Sequence, residues 1–372
     1  MKIIRVIIYN LIPIILITTA CSKATATQSE EDKILSQMTL EEKIYQMFIV
    51  TPEQLTGVAQ VTAAGETTRK ALEEHPVGGI IYFAQNLKSE EQATKMIENI
   101  QQYSMDIQGM KLFTAIDEEG GTVTRIGGKS GFDAPNVGDM ANISSPDEAY
   151  NAGNTIGGYL SEIGINLDFA PDVDVLTNSN NTVVKRRSFG SDPAEVSAYG
   201  QKVSDGLHAN GVLSTYKHFP GHGATTEDTH KGFAVTTKTY EELLKSELIP
   251  FSKAQADGAD FVMVAHISLP NIVGDNTPAS LSKVMITDIL KGDLGYQGIV
   301  ITDAMGMGAI VNEYDKDESV VMAIEAGADM ILMPENLESA CSAIKNAVQK
   351  GEIAEERIDE SVRKIIEKKM DM

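Results

Sequence analysis

Residues 217–230, KHFPGHGATTEDTH, bring together the side chains best suited to proton transfer in this chain. Three histidines (His218, His222, His230) and Asp228 share one glycine-punctuated segment. Histidine titrates near neutrality, and a carboxylate two residues before His230 can fold onto its imidazole, fix the tautomer and raise its basicity. Such a pair can give a proton and take it back. Two other readings stand beside this one: the histidines are merely solvated, or His218, His222, Asp228 and His230 ligate a metal. No cysteine lies nearby and the spacing matches no well-defined zinc pattern, so no metal is expected.

Composition sets the class. The chain has 372 residues, 42% of them hydrophobic, and can bury a large core. A net charge of -22 and a pI near 4.7 argue against nucleic-acid binding, which needs a basic stripe that is absent here. Only Cys21 and Cys341 occur, so no disulfide framework is expected, and Cys341 reads as a small packing residue within a helix.

The first 21 residues read as an address. Lys2 and Arg5 precede an apolar run over residues 6–17, interrupted by Asn10 and Pro13 and too short for a comfortable membrane span. The run ends at Thr18-Thr19-Ala20-Cys21, which resembles a bacterial lipobox with threonine where leucine is usual. Residues 1–21 are therefore expected to be a signal peptide ending in a lipidated Cys21, residues 22–36 a polar tether, and residues 37–372 the catalytic domain. The expected location is extracytoplasmic, anchored to a membrane by that lipid; cleavage by a conventional peptidase would leave the protein secreted.

Beyond the tether, Thr39 and Glu42 form a capping-box pattern that opens a helix running to Met47. Short apolar runs then recur at 47–50, 78–83, 112–117, 165–170, 212–218, 261–266, 299–303 and 330–333. Helical patterns lie between many of them, at 89–104, 146–163, 193–209, 240–257 and 318–326. Near-continuous apolar strands alternating with helices imply a parallel sheet buried on both faces. Eight such units fit a single (β/α)8 TIM barrel better than a doubly wound sheet.

In such barrels reactive groups collect at the carboxyl ends of the strands. Here the runs end at or just before Asp117, Asp172 and Asp174, Lys217 and His218, His266, and Asp303. One acid at a strand end can be a helix cap. Five strands ending in polar groups at the same rim point to a site.

Four motifs in order, DEEGGTVTR (117–125), RSFGSDP (187–193), KHFPGHGATTEDTH (217–230) and ITDAMGM (301–307), resemble glycoside hydrolase family 3, specifically its β-N-acetylglucosaminidase branch. The similarity runs from MTLEEKIYQM at Met38 to RIDESVRKII at Arg357. The Asp-Thr-His ending separates this branch from the family's β-glucosidases; Thr229 stands where serine is usual and keeps the hydroxyl. The resemblance implies a retaining two-step mechanism. Asp303 would be the nucleophile, His230 the general acid/base, and Asp228 the residue that orients His230, with a histidine replacing one of the two carboxyl groups ordinarily about 5 Å apart. Asp117, Arg125, Arg187, Lys217 and His218 would bind the sugar, His266 and Met307 would line the pocket, and Asp172 and Asp174 would hold loops at the rim. Gly221 and Gly223 would suit a loop that carries His230 in and out.

The implied partner is an N-acetylglucosamine-containing glycan, cleaved from its non-reducing end as in peptidoglycan fragments, with no cofactor. The same residues would serve a phosphorylase, and a non-catalytic carbohydrate-binding lipoprotein is the third possibility. The adjacent acids Asp117 and Glu118 also resemble the pair used where a substrate's own acetamido group attacks. That mechanism is set aside because the pair lies in the binding motif and the Asp228 and His230 dyad would have no work.

Overall fold

A computed structural model describes residues 29–225 and 234–372. Cys21, Asp228 and His230 lie outside the described residues. Every expected apolar run supplies a strand: β1 (Phe48–Val50), β2 (Gly79–Ile81), β3 (Phe113–Ile116), β4 (Leu167–Asp168), β5 (Thr215–Phe219), β6 (Phe261–Val264), β7 (Ile299–Thr302) and β8 (Ile331–Leu332). All pairings among them are parallel. One ladder runs β8-β1-β2-β3-β4, with Phe48 opposite Ile331 and Ile80 opposite Thr114, and a second runs β5-β6-β7, with Val262 opposite Val300. Single parallel bridges, Leu167 to Leu213 and Ile301 to Met330, join the ladders on both sides. The architecture is the (β/α)8 barrel. Its strands are short and almost wholly buried, which is why they read as continuous apolar runs.

The helices form where the sequence provides caps. Thr39 and Glu42 make the reciprocal capping box that starts Leu40–Gln46. Ser89, Ser145 and Asp192 cap the long helices Glu90–Gln108, Pro146–Glu162 and Pro193–His208. Cys341 is buried in the helix Leu337–Lys350, packed as expected.

Three elements differ from expectation. The helix expected over 240–257 is two short ones, Tyr240–Leu243 and Leu248–Lys253, and Pro250 lacks the N–H that a continuous helix would require of it. A second parallel pair, Ala234–Val235 with Ile267–Ser268, lies outside the barrel ladders. The polar tether expected over residues 22–36 gives way at its end to a helix, Glu30–Gln37, capped by Ser29. Leu35 of this helix is buried, and Asp32 pairs with Arg363 at 3.1 Å, so the segment packs on the final helix Glu355–Met370 as part of the domain. No helix among the described residues is long and apolar enough to cross a membrane.

Candidate active site

The carboxyl ends of the strands surround a cavity of about 470 Å³. Asp117 and Glu119 follow β3, Lys217 and His218 lie within β5, Asp303 follows β7, and Arg125 and Arg187 reach in from the loops after β3 and β4. Phe83, Met307 and Met333 supply apolar wall. Consecutive residues of a regular strand point to opposite faces. The pairing of β5 with β6 shifts between Tyr216 and Phe219, and this irregularity allows Lys217 and His218 to border the same cavity.

The polar side chains form one connected chain of contacts. The Arg125 guanidinium meets Asp117 at 3.1 Å, and the Lys217 ammonium meets Asp117 at 3.0 Å and Glu119 at 2.6 Å. Arg187 donates to Glu119 through Nε at 2.7 Å and Nη2 at 2.8 Å, approaches Asp172 at 3.3 Å, and donates from Nη2 to Nε2 of His218 at 3.2 Å. His218 Nε2 is thus the acceptor. Its proton sits on Nδ1, which donates to Asp174 at 2.7 Å.

Burial and neighbouring charge set the protonation states. Burial alone would raise Asp117 and Glu119, but Lys217 with Arg125 outweighs it at Asp117, and Arg187 with Lys217 outweighs it at Glu119, so both are held below the usual carboxylate range. Burial would lower Lys217, yet Glu119 and Asp117 raise it. Burial, followed by the charge of Arg187, pushes His218 down to about 4, so its imidazole is neutral. Asp172 and Asp174 are raised by burial, and at Asp172 the neighbouring Asp174 adds to the effect.

Asp117, Arg125, Arg187, Lys217, His218 and Asp303 therefore meet around one cavity, as expected from sequence. Asp303 accepts a hydrogen bond from the N–H of Ala304 at 2.8 Å and is part-buried. Asp174 ties the rim, accepting from the backbone N–H of His222 as well as from His218. His266 does not line the cavity. It is fully buried behind the Asp303 turn, donating from Nε2 to the carbonyl of Ala304 at 3.0 Å and accepting at Nδ1 from Ser280 at 2.7 Å.

Three further points were not anticipated. Gly221 and Gly223 serve close packing: a Cβ on Gly221, at φ 133°, would meet Glu247 at 2.6 Å, and one on Gly223 would meet the Val175 carbonyl at 2.0 Å. Glu118 is buried and turned away from the cavity. It accepts from the Thr124 and Tyr159 hydroxyls and from the N–H groups of Arg125, Ile126 and Gly127, so it shapes the loop that carries Arg125. The second acid of this site is Glu119, which the sequence motifs leave undistinguished from its neighbours. Strand periodicity holds the signal, because residues 117 and 119 share a face where 117 and 118 do not.

The model of the glycosyl hydrolase family 3 N terminal domain matches residues 39–367. The chain belongs to glycosyl hydrolase family 3. This family 3 chain is 30% identical over 331 residues to Beta-hexosaminidase A of Pseudoalteromonas piscicida, covering 82% of the chain and 55% of that protein. It is 34% identical over 264 residues to Beta-hexosaminidase LpqI of Mycobacterium tuberculosis, covering 69% of the chain and 67% of that protein. The match thus spans little more than half of the first relative's length. A solved glycoside hydrolase family 3 β-N-acetylglucosaminidase from Paenibacillus sp. str. FPU-7 superposes with a TM-score of 0.83 at 38% identity, over 90% of this chain and 62% of that one.

Proposed function

We propose that this family 3 chain is a retaining exo-β-N-acetylglucosaminidase that releases non-reducing terminal N-acetylglucosamine from peptidoglycan fragments. The observation that carries the proposal is a single cavity in which Asp303 faces an ion-paired wall of Asp117, Lys217, Glu119 and Arg187. Its volume of about 470 Å³ lies in the range of small-ligand sites, roughly 300–1,000 Å³. Ionised carboxylates accept from sugar hydroxyls and the cations donate to them, so the wall can grip a ring edge while Asp303 attacks its anomeric carbon. A glycosyl ester forms on Asp303 as the glycosidic oxygen leaves with a proton from His230. His230 then takes a proton from water, whose oxygen displaces the ester and restores the Asp303 carboxylate. Asp228 orients His230.

Two features favour this route over its rivals. Glu118 is occupied by five donors, which removes it as the partner an acetamido-assisted mechanism would require. Among the described residues each cavity arginine and lysine already faces a carboxylate, a pattern that suits neutral water better than phosphate as the second-step acceptor. Lipidation at Cys21 would hold the enzyme at a membrane, facing wall fragments outside the cytoplasm.

The test is incubation with purified N-acetylglucosaminyl wall disaccharides, with and without phosphate, followed by mass analysis. Free N-acetylglucosamine in both conditions supports the proposal. A sugar phosphate as the product would make the enzyme a phosphorylase, and an unaltered disaccharide would leave a binding protein.

A further inference from the structure

We infer that Glu119 is a positioning residue of this site, holding the Lys217 ammonium and the Arg187 guanidinium together at the sugar-binding wall of the cavity. The inference rests on the glycosidase reading above and extends it to an acid that does no chemistry itself.

The local backbone aims this carboxylate. Directly after β3 the chain turns through Gly120 and Gly121, both at positive φ, and the Glu119 N–H donates to the Val123 carbonyl at 2.9 Å. A Cβ on Gly120 would meet Val137 at 2.6 Å, so the turn is closed against the loop that follows it. Glu119 is 3% exposed and lines the cavity. It receives two charge-assisted hydrogen bonds from Arg187 and forms an ion pair with Lys217 at 2.6 Å. No other described carboxylate pairs with both cations.

The consequence is electrostatic as well as geometric. Lys217 is faced by Asp117 and Glu119 from the end of β3, by Arg187 from the loop after β4, by Asp168 from β4 and by His218 beside it on β5. Burial works against its charge, and Arg187 and His218 give it no help. Glu119 is the larger of the two attractions that keep it protonated, Asp117 the smaller. Without the Glu119 charge, Lys217 would keep Asp117 alone while Arg187 still repelled it. The ammonium would then lose its proton at lower pH, and with it a donor to the sugar.

The test uses Glu119→Gln, Glu119→Asp and the double variant Glu119→Gln with Lys217→Arg. The rate is followed from pH 5 to 10 on an aryl N-acetylglucosaminide, and Lys217 protonation is read separately by NMR of selectively labelled lysine. The expected result for Glu119→Gln is a fall in kcat/KM on the order of 10²-fold, mostly in KM. A second alkaline limb should appear beyond the one that His230 deprotonation gives the wild type, and the Lys217 signal should titrate in the same range as that second limb. Arginine stays protonated, so the double variant should lose that limb while keeping a raised KM. Glu119→Asp keeps the charge but not the reach, and should raise KM without the second limb. It also carries the test if Glu119→Gln does not fold.

A Glu119→Gln profile parallel to the wild type with an unshifted Lys217 signal, or a Glu119→Asp variant with the wild-type KM, would overturn the inference. If the wild type turned over no N-acetylglucosaminide, the glycosidase reading would fail, while the NMR titration would still decide whether Glu119 holds Lys217 charged.

Discussion

The barrel carries a buried ionic cluster at each end, and the two are built from the same side-chain types for different ends. At the carboxyl ends of the strands, Asp117 and Glu119 share Lys217, Arg125 and Arg187 around an open cavity. Just before β8, Asp329 gathers Lys291 at 3.0 Å, Arg357 at 3.1 Å and Lys364 at 3.4 Å, and accepts from the Val300 N–H and the Ser361 hydroxyl. Burial opposes the Asp329 charge, but Lys291, Lys364 and Arg357 together hold its pKa down at about 2. That cluster joins β7, β8 and the final helix without bordering the cavity. Ion pairing alone therefore does not mark a site. An ion-paired wall that still faces open volume does.

The contrast predicts that variants at the two ends fail in different ways. Asp303→Ala should give the largest effect on activity, a loss of roughly 10⁴–10⁶-fold in kcat with a nearly unchanged melting temperature. Paired assay and calorimetry check it, and a variant that unfolds instead would move Asp303 to the structural group. Asp329→Ala should do the opposite, leaving three half-buried cations without their shared carboxylate and lowering stability by about 3–5 kcal/mol, with KM unchanged in the fraction that stays folded. Denaturant unfolding alongside initial rates would show it. Glu118→Gln should fall between them. It weakens the bonds to the N–H groups of residues 125–127, so a stability loss of about 1.5–3 kcal/mol should come with a raised KM as Arg125 loses its support.

The remaining expected effects are dependences of stability on pH, and each end holds a buried base that binds its proton more weakly than in water. Burial lowers Lys369 from 10.5 to about 7; its side-chain nitrogen has the Gln46 side-chain oxygen at 2.7 Å and the Phe113 ring centroid at 5.4 Å. Between pH 7 and 10.5 the unfolded chain binds a proton that the folded chain refuses, so stability falls as pH is lowered through that window, by at most about 1.4 kcal/mol per pH unit. His218 does the same between 6.5 and about 4. Chemical denaturation at a series of pH values should show Lys369→Met flattening the upper window and His218→Gln the lower. A slope that survives either substitution would assign it to other groups.

Much of the fold and of the site is legible in the amino-acid sequence. The eight strands can be read because parallel strands buried on both faces leave unbroken apolar runs, and their ends name Asp117, Lys217, His218 and Asp303 at one rim. What escapes the sequence has local causes. The helix Glu30–Gln37 hides among acidic and polar residues with only Leu35 buried, although Ser29 is a usable cap signal. Glu119 is obscured by the two acids before it until strand periodicity separates them. Gly221 and Gly223 look like freedom of motion because a sequence does not show which backbone lies against them. His266 ends an apolar run as the site residues do, but it is buried outside the cavity lining, bonded to Ser280 and Ala304.

Double displacement requires Asp303 to form a covalent bond to the sugar. Incubating the wild type with an activated 2-deoxy-2-fluoro glycosyl donor and mapping the adduct by intact-mass and peptide mass spectrometry tests that most directly. The predicted result is one glycosyl unit per chain, on Asp303 and nowhere else. An adduct on a different residue, or none under conditions where turnover continues, would contradict double displacement through this carboxylate.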